Sequence, residues 1–218
     1  MGGRRPCRPP HHRPAAKSRR RRAWRTTCPR RRARSVTAYQ GPGDLLITRQ
    51  TLDAMIADGM AALPHETGGI LLGFRTPNLI VVTRTVTVAD PQSSRRSYLR
   101  RHRQAQARMA IGRGDAPPVV GYVGEWHTHP ADIGPSRTDL RALAAIARLA
   151  QGPVALVVLA DPAQRLSHLH GRVAIRQDIW PVVAINPVQI EKAEVAITED
   201  TAASLEAEAT ALTTRESS

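Results

Sequence analysis

The residues best able to do chemistry in this chain lie in Gly124-Glu125-Trp126-His127-Thr128-His129-Pro130, followed closely by Ser136-Arg137-Thr138-Asp139. In an extended strand, residues i and i+2 point to one face, so His127 and His129 present two imidazoles side by side. Asp139 falls in the first turn of an expected helix, whose N-terminus can return a carboxylate to the same point. Two histidines and a carboxylate, with a fourth position left for water, form the donor set of a catalytic zinc site. Ser136 and Asp139 also stand at N-cap and N3, where they stabilise a helix with or without a metal. Capping explains half of the motif and leaves the two histidines unexplained. A second pair, His168 and His170, has no capped carboxylate after it, Asp178 lying further off, and reads as structural.

Hydrolysis at such a site also needs a base for the proton of the attacking water. Two glutamates compete for that role. Glu125 shares the strand face of His127 and serves equally well as a surface or supporting carboxylate. Glu66 precedes Thr67-Gly68-Gly69 at the start of an expected strand, where a partly dry pocket would raise its affinity for protons.

The elements that must position these residues are marked along the chain. Leu45, Leu46 and Ile47 mark a short strand, and Leu52, Met55, Ile56 and Met60 recur at helical spacing from Thr51 to Leu63, where Pro64 ends the helix. Gly68 to Phe74 and Leu79 to Ala89 read as two strands joined by Thr76-Pro77-Asn78 into a hairpin. Pro91 to Pro118 is long, polar and rich in arginine (Arg95, Arg96, Arg100, Arg101, Arg103), with a helix expected near Arg103 to Ile111. Segments this long are usually functional, and this one could contact an acidic partner or be merely solvated. Val119 to Thr128 is apolar enough for a central strand. Ser136 to Leu149 is a helix with Leu140, Leu143, Ile146 and Leu149 on one face, ended by Gly152-Pro153. Val154 to Ala160, Leu166 to Ile175 and Trp180 to Ile185 supply three more strands. From Glu191 onward seven acidic residues stand against two basic ones, so 189–218 is expected to be a frayed helix or an acidic tail. Strands and helices mix without regular βαβ alternation, which gives an α+β fold with a mixed sheet flanked by helices.

The chain of 218 residues carries a net charge of +14, and all of that charge sits at one end. Residues 1–36 hold 14 basic side chains and no acidic one, which leaves a neutral body with 18 of each. A neutral body with a basic arm is a globular domain plus a tail, not a surface built throughout for nucleic acid or membrane. The arm has no helical or strand period and is expected to be disordered. It reads as a nucleic-acid tether, a transit-like segment, or a stretch upstream of the true start near Val36. Cys7, His11, His12 and Cys28 fit no zinc-knuckle spacing. Both cysteines lie in the arm, so the fold has no disulfide framework and the setting is expected to be reducing and cytoplasmic. The longest apolar run, Val154 to Ala160, is too short to cross a bilayer, and no apolar segment follows the arginines as a signal peptide requires.

Glu66 with Thr67-Gly68-Gly69-Ile70-Leu71-Leu72-Gly73, then His127-Thr128-His129-Pro130, then Ser136-Arg137-Thr138-Asp139, resembles the JAMM signature of the MPN/JAB-domain zinc metalloproteases, most closely the prokaryotic JAB branch. The resemblance spans about Leu45 to Ile185, with the domain taken as 37–188. It implies an MPN/JAB-like sheet of cytidine-deaminase-like architecture and one catalytic zinc bound by His127, His129 and Asp139. It further implies Glu66 as general acid/base and Ser136 as the donor to the oxyanion. Six residues separate His129 from Ser136 where the eukaryotic deubiquitinase pattern has seven, so this loop is tighter.

The activity so implied is hydrolysis of a peptide or isopeptide bond at the C-terminal tail of a ubiquitin-like modifier, with an extended tail added beside Gly68 to Phe74. Proteins resembling ubiquitin-activating and conjugating enzymes are the implied partners, in settings that include anti-phage defence. The alternatives are a non-catalytic MPN scaffold and nucleic-acid tethering through the arm. A zinc nucleobase deaminase would need Pro-Cys-x-x-Cys, and the body has no cysteine.

Overall fold

The computed structural model describes residues 43–95, 97–98, 102–163, 168–176 and 188–216. The basic arm, Arg96, Arg100, Arg101, Asp178 and the strand expected at Trp180 to Ile185 lie outside them. Contacts divide the chain into Met1–Arg31 and Arg32–Ser218, and every described element belongs to the second unit.

Strand β1 (Asp44–Thr48) runs directly into helix α1 (Arg49–Ala62), because Thr48 is the N-cap and its side chain accepts from the Thr51 N–H at 3.2 Å. The hairpin β2 (Gly68–Thr76) and β3 (Leu79–Thr87) comes next, then α2 (His102–Arg113), β4 (Gly121–His129), α3 (Arg137–Leu149), β5 (Val154–Ala160) and β6 (His168–Arg176). The chain continues through β7 (Val188–Ala193), β8 (Val195–Thr198) and α4 (Ala202–Glu216). One eight-stranded sheet runs β7-β6-β5-β4-β2-β3-β1-β8. Its β1–β3, β1–β8 and β4–β5 pairs are parallel and the others antiparallel, the mixed α+β sheet expected from the sequence.

The order of strands dictates a curl. β7 and β8 form the two edges of the sheet, yet only Glu194 separates them in the chain. A single residue spans only a few ångströms, so the edges must meet. They do: Leu45 N donates to Glu194 O at 2.9 Å, and a Cβ placed on Gly171 of β6 would fall 2.7 Å from Val195 Cγ2 of β8. Glycine at 171 is what permits this approach.

Alternation along the strands sorts apolar residues onto two faces. The inner face gathers Leu45, Ile47, Leu71, Trp126, Val157 and Val173 around Leu52 and Met55 of α1. The outer face is covered by three helices: α3 over Val154, Leu156 and Val158, α2 over Ile70 and Leu72, and α4 over Leu46, Phe74 and Val81.

Three expectations change. The stretch read as an acidic tail, 189–218, forms two strands and a helix, with β8 paired to β1 and Leu205 and Ala209 packed on the sheet. One of its acids is buried: Glu206 is 2% exposed and accepts from Thr83 Oγ1 at 2.7 Å and Arg84 Nε and Nη2 at 3.0 and 2.9 Å. Charge that looked solvated is a pin between α4 and β3. Leu149, placed on the buried face of α3, is 88% exposed, and Ala147 takes its place in the core. Met60 likewise faces outward, leaving Leu52 and Met55 as the buried stripe of α1. Among the described residues no helix is long and apolar enough to cross a membrane.

Candidate metal centre

β4 lies between β2 and β5, with Gly68 and Val158 on either side of His127 and Ala160 beside His129. The strand ends at His129 because Pro130 has no N–H to give the ladder. The two histidines turn towards each other, Nε2 to Nε2 at 3.1 Å. α3 then begins at Ser136 with a complete capping box: Asp139 N donates to Ser136 Oγ at 3.2 Å, and Ser136 N donates to Asp139 Oδ2 at 2.6 Å. That same Oδ2 stands 3.6 Å from each imidazole Nε2. Capping and metal-ligating geometry are therefore one arrangement, and the cap aims the carboxylate.

Donor atoms at tetrahedral positions around zinc, with bonds near 2.0–2.1 Å, lie roughly 3.3 Å apart. The observed triangle of 3.1, 3.6 and 3.6 Å fits that spacing. Among the described residues these three form the one group of His, Cys, Asp or Glu side chains that could hold a metal ion on this criterion. His129 Nδ1 also meets Ile133 O at 2.8 Å, and donating there leaves the lone pair on Nε2, as a metal ligand requires. Burial raises the proton affinity of Asp139, but hydrogen bonds from His127, His129 and Ser136 outweigh it and hold the carboxyl far below its usual range. Burial alone would lower the pKa of His129, yet Asp139, the Ile133 carbonyl and the charge of Glu66 raise it.

Glu66 is 8% exposed at the entry to β2. Thr67 extends the ladder beyond Gly68, its carbonyl accepting from Thr128 N at 2.8 Å and its N–H donating to Thr128 Oγ1 at 2.9 Å. Glu66 thereby comes opposite His129, and its own N–H is held by Ser94 O at 2.8 Å. Burial pushes the Glu66 carboxyl upward, countered only in part by His129 and His127. The structure brings Glu66, His127, His129, Ser136 and Asp139 to one place. The sequence reading missed the Thr67–Thr128 clamp and the Ile133 carbonyl. A threonine between the two histidines hinted at the first; nothing in residue type marks a backbone carbonyl.

Two other readings are corrected. An added substrate strand beside Gly68 to Phe74 has no edge to join, since β2 is paired on both sides, with β3 and with β4. Its glycines admit neighbours instead: a Cβ on Gly69 would fall 2.0 Å from Val86 O. The pair His168 and His170 does have a carboxylate, Asp132, which arrives from the loop after β4 and not from downstream. Glu125 lies on the face of His127, beside it in the same cavity. Within the arginine-rich segment, Arg95 is exposed in a turn closed by Ser94 and Ser97.

Residues 48–176 match the family described as prokaryotic homologs of the JAB domain. The chain is 31% identical over 131 residues to a CD-NTase/cGAS isopeptidase of Enterobacter hormaechei, a match covering 55% of this chain and 69% of that protein. It is 29% identical over 135 residues to a probable metalloprotease of Sinorhizobium fredii, covering 58% and 82% respectively. The solution structure of a Desulfitobacterium hafniense protein superposes on 72% of this chain and 94% of its own length, with a TM-score of 0.51 at 19% identity, a likeness of fold.

Proposed function

This chain belongs to the prokaryotic JAB-domain family, and from that premise we propose that it is a zinc-dependent metalloprotease or isopeptidase that cleaves at the C-terminal tail of a ubiquitin-like modifier. The observation that carries the reading is the convergence of His127, His129 and Asp139 opposite a buried glutamate. In this reading those three residues hold the metal, which supplies Lewis acidity at the scissile carbonyl. Glu66, with its raised proton affinity, takes the proton of the attacking water and returns it to the leaving amine. Ser136 accepts from Asp139 N, and in this reading its hydroxyl proton is the one given to the developing oxyanion.

A modifier conjugate is favoured as substrate because one relative is named for isopeptide cleavage. The test is zinc analysis and cleavage of a ubiquitin-like fusion by the full chain, with His127→Ala and Glu66→Ala as controls. The expected result is one zinc lost in the first variant and retained by an inactive second. Absence of bound metal from the wild type, or unchanged cleavage by Glu66→Ala at equal zinc content, removes the reading.

A further inference from the structure

The last rung between β4 and the chain entering β2 is made half by backbone and half by a side chain. A hydrogen-bonded antiparallel pair normally exchanges two N–H···O=C bonds. Thr67 and Thr128 exchange one, Thr128 N donating to Thr67 O at 2.8 Å, and the Thr67 N–H goes instead to Thr128 Oγ1 at 2.9 Å. The same hydroxyl donates to Thr67 O at 3.4 Å, so both backbone groups of Thr67 are held by one residue. Glu66 lies one position beyond this rung and gives its N–H to Ser94 O at 2.8 Å. The placement of Glu66 opposite His129 therefore leans on the hydroxyl of Thr128.

That hydroxyl is aimed from the other side of the sheet. Side chains alternate along β4, so Thr128 points away from His127 and His129 into the inner layer, where it is 1% exposed. There its methyl meets α1 at Gly59: a Cβ on that residue would fall 2.9 Å from Thr128 Cγ2 and 3.2 Å from Pro162 Cβ. Glycine inside a helix is unfavourable relative to alanine, and here the missing side chain lets α1 close on β4. The helix is pinned at that level, since the Thr87 hydroxyl of β3 donates to Asp58 Oδ2, one residue before Gly59. Threonine carries two heavy atoms on a stiff Cβ, so fixing its methyl under Gly59 fixes its hydroxyl at Thr67.

Resting on the hydrolase reading, we propose that Gly59 and Thr128 are positioning residues for the general base: Gly59 sets the rotamer of Thr128, Thr128 holds Thr67, and Thr67 sets where the Glu66 carboxylate stands at the metal centre. Neither residue touches the reacting atoms. The metal ligands do not depend on this path. Without the hydroxyl, β4 keeps its backbone bond to Thr67 and its parallel pairing with β5 from Gly124 to His129, while Asp139 is aimed by its own cap. A loss confined to the base appears in kcat, with KM and zinc content unchanged.

The test is cleavage of a ubiquitin-like fusion by the zinc-loaded full chain and its variants. Thr128→Val keeps the shape and removes the hydroxyl, and it should lower kcat about 10- to 100-fold at wild-type KM and zinc content. Thr128→Ser keeps the hydroxyl and should stay within about threefold of wild type. Gly59→Ala should lower kcat as Thr128→Val does, and adding Thr128→Ser should restore it, because the methyl that alanine displaces is gone. In a Glu66→Gln background Thr128→Val should cost nothing further, since residues acting on one step are not additive. A readout free of turnover is amide hydrogen exchange at Thr67, expected to be slow in wild type and Thr128→Ser and fast in Thr128→Val. Unchanged kcat in Thr128→Val, an equal loss in Thr128→Ser, a full loss on top of Glu66→Gln, a fall in zinc content that matches the loss, or equal Thr67 exchange in all variants each overturn the positioning role and leave the hydrolase reading standing. A zinc-loaded wild type that cleaves no fusion overturns the hydrolase reading itself, and this role with it.

Discussion

Strands β4 and β6 each carry a His-x-His pair, and the two pairs lie in register across β5. His127 is opposite Val158 and Val158 opposite His170, while His129, Ala160 and His168 form the next row. All four imidazoles share the outer face, and each pair has an aspartate nearby. Their geometries diverge. On β4 two Nε2 atoms and one carboxylate oxygen close a triangle, whereas on β6 Asp132 bonds His168 at 2.7 Å and stands 4.0 Å from His170. Burial keeps His170 below its ordinary pKa and its buried Nε2 has no hydrogen-bond partner, while Asp139 helps hold His129 above. Residue type and spacing are the same in the two pairs. The source of the carboxylate differs: after His129 comes a short loop and a capped helix that fixes Asp139, while Asp132 sits half-exposed on that loop.

The strongest way to break this comparison is to remove one member from each pair. His127→Ala or Asp139→Asn should empty the centre of zinc and abolish cleavage of a ubiquitin-like fusion, while His168→Ala should keep both. Equal zinc loss from the two strands, measured by elemental analysis, would erase the distinction.

Next in size is Glu66→Gln, expected to lower kcat about 10²–10⁴-fold with zinc retained. Its pH behaviour has a definite sign. In the metal-free chain the carboxyl is raised from 4.5 by burial. A raised carboxyl pKa penalises the folded state once the group ionises, so stability is fully present below the unfolded value and falls as pH rises through the folded one. The metal-free Glu66→Gln chain should therefore melt higher than wild type at pH 7, and the gap should close as pH drops below about 4.5.

The sequence makes the β4 pair legible because its neighbours are local: strand spacing, a proline stop and a cap lie within thirteen residues, from His127 to Asp139. The hairpin, the central strand and the three helices up to Leu149 are legible for the same reason, each carrying its own period and stop. Features that depend on distant pairing are not. Glu206 reads as tail charge until Arg84 and Thr83, more than a hundred residues earlier, are placed beside it. Asp132 becomes a partner of β6 only when the loop folds back over that strand. A bulge at Val123, where the β2–β4 register passes from Gly124 to Tyr122 and the Tyr122 hydroxyl donates to Glu125 Oε1, exists only in the pairing of two strands.

Ser136 and Thr48 offer a smaller and sharper test, since both are N-caps and only one adjoins the centre. Each changed to alanine should cost about 1 kcal/mol, a fall in Tm of roughly 2–4 °C for a domain of this size. If Ser136 also steadies an oxyanion, Ser136→Ala should lose up to about 10²–10³-fold in kcat while Thr48→Ala keeps its rate. Equal rates in the two variants would reduce Ser136 to a cap.

The smallest effect is expected from Asp132→Asn. Asp132 and His168 are 51% and 59% exposed at the side chain, and ion pairs so solvated contribute about 0–1 kcal/mol, so Tm should move by less than about 4 °C. Its interest lies in the loop it shares with Ile133, whose carbonyl meets His129 Nδ1. If Asp132 and His168 held that loop in place, the metal site would loosen with them, and outer partners of ligand histidines typically account for 10–100-fold in affinity. Two other restraints act on the same site without Asp132. The ladder through Thr67 and Thr128 fixes the end of β4, and the Ser136–Asp139 box fixes the start of α3. Zinc titration of the metal-free Asp132→Asn chain should therefore stay within about threefold of wild type, short of that range. A tenfold loss would make the β6 pair a support of the β4 pair and end the contrast between them.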